Sequence, residues 1–123
     1  MKVAENILVY VVDDEPLITE SVGAMLASDG FDVALFLDPA EALEAMEDAP
    51  LKPSVLFTDF MMSPINGLEL IEAARTIHPS IKTILCSGNL GQAQLLHMPK
   101  PPDLFIPKPF KPAELGKQVR SVL

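Results

Sequence analysis

A chain of 123 residues with 49% hydrophobic content is long enough to bury one core and too apolar to stay disordered. Its net charge of −8 excludes phosphate-backbone binding as a leading function, because that needs a basic surface; it suits a cation or a basic partner. The single Cys86 excludes an internal disulfide, and no apolar run approaches the ~20 residues of a membrane span.

Strand-like and helix-like patterns then alternate. ILVYVV (7–12) is a continuous β-rich apolar run, as expected of a strand covered on both faces. Pro16 opens a helical pattern with Ile18, Val22, Met25 and Leu26 on one face, and Gly30 ends it. FDVALF (31–36) is a second strand. Asp38-Pro39 is an N-cap and N1 pair, opening a helix with Leu43 and Met46 inward and Glu41, Glu44 and Glu47 on a solvated face. SVLFTD (54–59) is a third strand and SPING (63–67) a loop. Leu70, Ile71, Ala74 and Ile77 fall at helical spacing until His78-Pro79.

IKTILCS (81–87) is a fourth strand, with Cys86 reading as a buried small hydrophobe. Residues 88–102 are the least regular part: a short helix around 91–97 is expected, and Pro99, Pro101 and Pro102 forbid more. DLFIP (103–107) is a short fifth strand. Pro112 opens a last helix with Leu115, Val119 and Val122 on one face. Five βα units predict an α/β fold: a parallel sheet with right-handed crossovers and helices on both faces. Pro107 cannot donate to a ladder, so the fifth strand belongs at an edge.

In such sheets ligands sit beyond the carboxyl ends of the strands. Strand 1 ends in Asp13, Asp14 and Glu15, strand 3 in Asp59, strand 4 in Ser87, and Lys108 follows strand 5. Singly, each has a bland reading: a polar turn, a helix cap, a surface lysine. Together they converge. Unpaired carboxylates repel, so a positive charge belongs among them, and a hard oxygen-loving cation such as Mg²⁺ (or Mn²⁺) fits. A metal beside a free carboxylate, a lysine and a hydroxyl points to phosphoryl transfer through an acyl phosphate. His78 and His97 read as surface or capping residues, with no zinc-like cluster.

VVDDEP, LFTDFMMSPINGLEL, ILCSGN and IPKPF, in this order and spacing, closely resemble the receiver domain of two-component response regulators, over essentially all of residues 1–123. The resemblance implies a flavodoxin-like five-stranded sheet of order 2-1-3-4-5. It makes Asp59 the phosphoacceptor and a metal ligand, Asp14 a direct ligand, Asp13 a ligand through water, and the Met61 backbone carbonyl a further one. It makes Lys108 the phosphate-binding lysine, Ser87 the switch hydroxyl and Phe105 the switching aromatic, with a cis Lys108-Pro109 bond. A histidine kinase or histidine phosphotransfer protein then donates from phosphohistidine. The receiver catalyses only its own phosphorylation and slow dephosphorylation.

Output is expected through protein contact by a cytoplasmic, bacterial protein. That protein is a monomer or a phosphorylation-dependent dimer, and either a stand-alone receiver or one domain of a longer chain such as a hybrid kinase. The proline-rich stretch 99–102 departs from the family by shortening or distorting the fourth helix. Met61 and Asn89 stand where the family tunes phosphoryl lifetime. The runner-up is a small phosphatase resembling the haloacid dehalogenase superfamily, whose nucleophile ends the first strand in a DxD pattern; residues 13–15 here read D-D-E. A phosphorylation-independent module and a flavodoxin-like small-molecule binder rank below it.

Overall fold

The computed structural model describes residues 7–88, 95 and 99–123. The elements run β1 (Leu8–Val12), α1 (Pro16–Ser28), β2 (Asp32–Phe36), α2 (Pro39–Asp48), β3 (Val55–Asp59), α3 (Gly67–Ile77), β4 (Lys82–Ser87) and β5 (Leu104–Pro107). A 3-10 turn (Pro112–Glu114) then leads into α4 (Leu115–Ser121). Every strand pairing is parallel and the sheet order is β2-β1-β3-β4-β5. The expected five-stranded order is therefore found, with Pro107 on the edge strand. The short helix expected around 91–97, with Asn89 and His97, lies outside the described residues, although Leu95 is buried in the core.

Strand alternation builds two cores. Val9, Val11, Val55, Phe57, Ile84 and Ile106 point to one face, where Val22 and Leu26 of α1 and Leu115 and Val119 of α4 cover them. Tyr10, Val12, Leu56 and Leu85 point to the other, under Ala42 and Met46 of α2 and Leu70, Ile71 and Ala74 of α3. All five residues of β3 are buried, as a central strand between two helical layers requires. Each such aliphatic side chain contributes about 2 kcal/mol by leaving water.

The helix ends follow local chemistry. Asp38 caps α2 by accepting from the Ala40 N–H at 2.8 Å. Gly30 adopts φ +94°, the left-handed conformation that follows α1. Lys52 Nζ donates to the Met46 carbonyl at 2.6 Å and to the Ala49 carbonyl at 3.2 Å, satisfying the end of α2. Two differences from the sequence reading stand out. Each strand starts one residue later than its apolar run. And α3 begins inside the SPING segment, because Asn66 and Glu69 form a reciprocal capping box at 2.9 Å.

Candidate functional site

The ladder brings the site together by register. Val12 is level with Thr58, Asp59 with Cys86, and Ser87 with Pro107. Asp13, Asp59, Ser87 and Lys108 therefore emerge at one height along the carboxyl edge of four adjacent strands. β1 and β3 are neighbours whose crossovers leave in opposite directions, which makes the crevice between them the topological switch point.

Carboxylate oxygens of Asp13, Asp14 and Asp59 all lie within 4.8 Å of one another; Asp13 and Asp59 are buried and Asp14 is exposed. Lys108 Nζ sits 2.8 Å from Asp59 Oδ1 and 3.9 Å from Asp13 Oδ2. The Asp13 carboxylate also accepts from the Glu15 N–H at 3.0 Å. Three acids thus cluster where a single lysine, Lys108, reaches two of them.

Burial and this imbalance of charge act together on the groups of the site. Burial raises the Asp13 carboxyl to about 6; the Glu15 amide and Lys108 oppose it, and Asp59 and Glu15 add to it by repulsion. Burial alone would lower Lys108, but the hydrogen bond and charge of Asp59, with Asp13 behind it, reverse this and raise it. Burial pushes the Cys86 thiol up to about 12, so it is an inert core residue, as its apolar surroundings in the sequence suggest. An all-oxygen donor set with more acid than it can neutralise fits a hard divalent cation.

The remaining predicted residues lie on β4, β5 and the segments that follow β3 and β5. Ser87 is buried at the end of β4, and its carbonyl accepts from the Lys108 N–H at 2.9 Å. Lys108-Pro109 is cis, as the resemblance implied, and so is Ser63-Pro64. Met61 lies two residues past Asp59 with its side chain exposed. Phe105 is half-buried on β5, level with Leu85.

Two residues that shape the site were not singled out in the sequence. Gly67 opens α3 directly over β3. A Cβ there would collide with the Asp59 carbonyl oxygen and come within 2.8 Å of Leu85 Cδ1. The capping spacing N-x-x-E at 66–69 is the signal that would have placed this glycine at a helix start. The second is Thr19, buried on α1, whose hydroxyl reaches the loop carrying the acids; a lone threonine among apolar residues carries no comparable signal.

A parallel sheet of this order, with carboxylates and a lysine gathered at its switch point, defines a flavodoxin-like α/β protein built around an acidic crevice. The model of the response regulator receiver domain matches residues 9–120, and the chain belongs to that family. It is similar to the DNA-binding response regulator MtrA of Mycolicibacterium smegmatis, 29% identical over 116 residues that make up 94% of this chain and 50% of that protein. It is similar to the transcriptional regulatory protein CpxR of Escherichia coli K12, 28% identical over 94% of this chain and 48% of that one. The chain spans about half the length of these relatives. Among solved structures, a CheY-like receiver domain protein from Methanospirillum hungatei superposes with a TM-score of 0.85 at 23% identity, over 95% of this chain and 93% of that one. Chemotaxis response regulator CheY4 of Vibrio cholerae does so at 0.83 and 23%, over 97% and 100%. At that identity these two speak for the fold. No helix among the described residues is long and apolar enough to cross a membrane.

Proposed function

We propose that this receiver domain, spanning residues 1–123, is a phosphorylation-activated switch whose acceptor is Asp59. The observation that carries the reading is the 2.8 Å contact of Lys108 Nζ with an Asp59 carboxylate that is itself within 4.8 Å of two further acids. A carboxylate oxygen of Asp59 attacks the phosphorus of a phosphohistidine. The new O–P bond forms as the P–N bond breaks, and the leaving imidazole nitrogen takes the electron pair. Lys108, held cationic by its acidic neighbours, is placed to follow the developing phosphoryl oxygens as they replace the carboxylate charge.

Asp14, Asp59 and the Met61 carbonyl would hold Mg²⁺ (or Mn²⁺) directly and Asp13 through water. When bound, the ion supplies positive charge for the phosphoryl oxygens. Ser87, buried at the end of β4, would donate its hydroxyl to one of those oxygens, drawing the end of β4 toward the site. Phe105 on the adjacent β5 then repacks, so a local charge event biases a two-state element. Catalysis is confined to the domain's own phosphorylation and dephosphorylation.

A histidine kinase or phosphotransfer protein is the fitting donor. An apolar groove of about 460 Å³, lined by Ile18, Val22, Pro109 and Phe110, reaches Lys108 and suits its docking. The net charge of −8 favours a protein over nucleic acid as the direct output partner. A lone buried thiol suits a reducing cytoplasm.

The test is intact-protein mass after incubation with acetyl phosphate, with and without Mg²⁺. One Mg²⁺-dependent phosphoryl adduct, abolished in Asp59→Asn, is expected. An adduct that survives in Asp59→Asn and disappears in Asp13→Asn would overturn the assignment and favour the phosphatase-like alternative. No adduct at all would leave a phosphorylation-independent module.

A further inference from the structure

The loop that carries two of the three acids lacks the usual anchor. Glu15, at the N-cap of α1, makes no side-chain cap hydrogen bond. The loop is held instead from one turn further along the helix. Thr19 is 1% exposed and faces inward among Val22 and Leu26, where an apolar side chain would be expected. A buried hydroxyl costs free energy unless it finds a partner. The Thr19 Oγ1 lies 2.8 Å from the Asp13 carbonyl and 3.0 Å from the Glu15 carbonyl.

A hydroxyl has one proton to give. The Glu15 carbonyl already accepts the Thr19 N–H at 3.0 Å, so the proton goes to the nearer Asp13 carbonyl. Asp13 is thereby held at three points. Its N–H donates to the Phe36 carbonyl of β2 at 3.1 Å, its carboxylate accepts from Glu15 N–H, and its carbonyl is tied to α1 by Thr19. Of these ties, the Thr19 bond is the one made by a side chain of α1, and it links the end of β1 directly to the helix.

We infer that Thr19 is a positioning residue for the divalent-cation site: through its hydroxyl it orients the 13–15 loop so that the carboxylates of Asp13 and Asp14 face Asp59. The inference rests on the metal-site reading given above. Losing the hydroxyl weakens Mg²⁺ binding without touching the acceptor. A hydrogen bond of this kind corresponds to about a three- to tenfold change in affinity.

The experiment is calorimetric titration of Mg²⁺, and separately Mn²⁺, into wild type, Thr19→Val, Thr19→Cys and Thr19→Ser, each checked for folding by circular dichroism. Labelling by acetyl phosphate is followed at limiting and at saturating Mg²⁺. Valine keeps the shape and loses the donor; its Kd for Mg²⁺ is expected to rise about three- to tenfold, with labelling restored at saturating Mg²⁺. Cysteine, a weak donor, follows valine and carries the test if the valine variant does not fold. Serine keeps the donor and stays within about twofold of wild type. Wild-type affinity in the valine or cysteine variant overturns the role of Thr19, and so does an equal loss in the serine variant. A wild-type protein that takes up neither ion overturns the metal site itself, and the inference with it.

Discussion

The same sheet carries a polar cluster at each end, and the two are built on opposite plans. At the amino end of β4 and β5, Asp103 Oδ2 accepts from the Thr83 N–H at 2.7 Å and from its hydroxyl at 3.1 Å, while the Asp103 N–H donates back to Thr83 Oγ1 at 3.1 Å. Arg75 of α3 completes it, donating to the Lys100 and Pro101 carbonyls at 2.8 and 2.9 Å and to Thr83 Oγ1 at 3.1 Å. Acid, base and hydroxyl are matched, and the proline-rich stretch is strapped to the scaffold. At the carboxyl end, Asp13, Asp14 and Asp59 crowd together, Lys108 reaches only Asp13 and Asp59, and burial raises the Asp13 carboxyl despite that contact. A balanced polar cluster stabilises; an acidic cluster left unbalanced holds its free energy in reserve for a ligand.

Substitutions test that contrast, and the largest effect is expected at Gly67. Gly67→Ala places a methyl against the Asp59 carbonyl and Leu85, which must push α3 off β3. A loss of about 3 kcal/mol in urea unfolding is expected, together with slower labelling by acetyl phosphate. A fully stable, fully active Gly67→Ala protein would show that α3 does not set the position of the acceptor.

Breaking the matched cluster comes next. Asp103→Ala strands the buried Thr83 N–H and costs about 2 kcal/mol in thermal or urea unfolding. Mg²⁺ affinity should be unchanged, because the cluster lies at the far end of β4. A shift in that affinity would mean that the two ends of the sheet communicate.

The smallest effect has the opposite sign. Asp13 titrates at about 6 in the folded protein against 3.8 as its ordinary value, so the native state holds its proton more tightly than the unfolded chain. The metal-free protein is therefore expected to lose stability as pH rises from about 4 to about 6, by on the order of 1–2 kcal/mol. Asp13→Asn should remove that slope and stabilise the protein in chelator at pH 7 by a similar amount, while weakening Mg²⁺ binding. Urea unfolding with chelator and with Mg²⁺, at pH 4 to 8, reads both signs; a flat profile in chelator for wild type would contradict the unbalanced site.

Much of this was legible in the residues. The run ILVYVV stopping at three acids, and Pro107 in the last strand, were enough to place Asp13 at a strand end and β5 at an edge. Asp59, Ser87 and Lys108 followed by the same strand-end logic, since the end of each β-rich apolar run marks where its strand must surface. Thr19 was not legible, and Gly67 was legible only as the start of a helix, through the N-x-x-E spacing at 66–69. Thr19 sits in a helix whose pattern is otherwise apolar, and its role depends on a carbonyl six residues earlier that only the bend of the loop brings near. The need for glycine at Gly67 carries no such signal, because it comes from β3 passing beneath it. Arg75 and Asp103, 28 positions apart, carry no periodic signal linking them.

The sequence by itself determined the alternation of elements, the parallel class of the sheet and the identity of the chemical groups at its carboxyl edge, because hydrophobic period, proline and capping residues act over a few positions. Only the tertiary structure decided which of those groups meet as ion pairs, which backbone approaches demand glycine, and which polar clusters are balanced. Those depend on strand register and helix docking, where displacements of an ångström decide whether two distant residues meet.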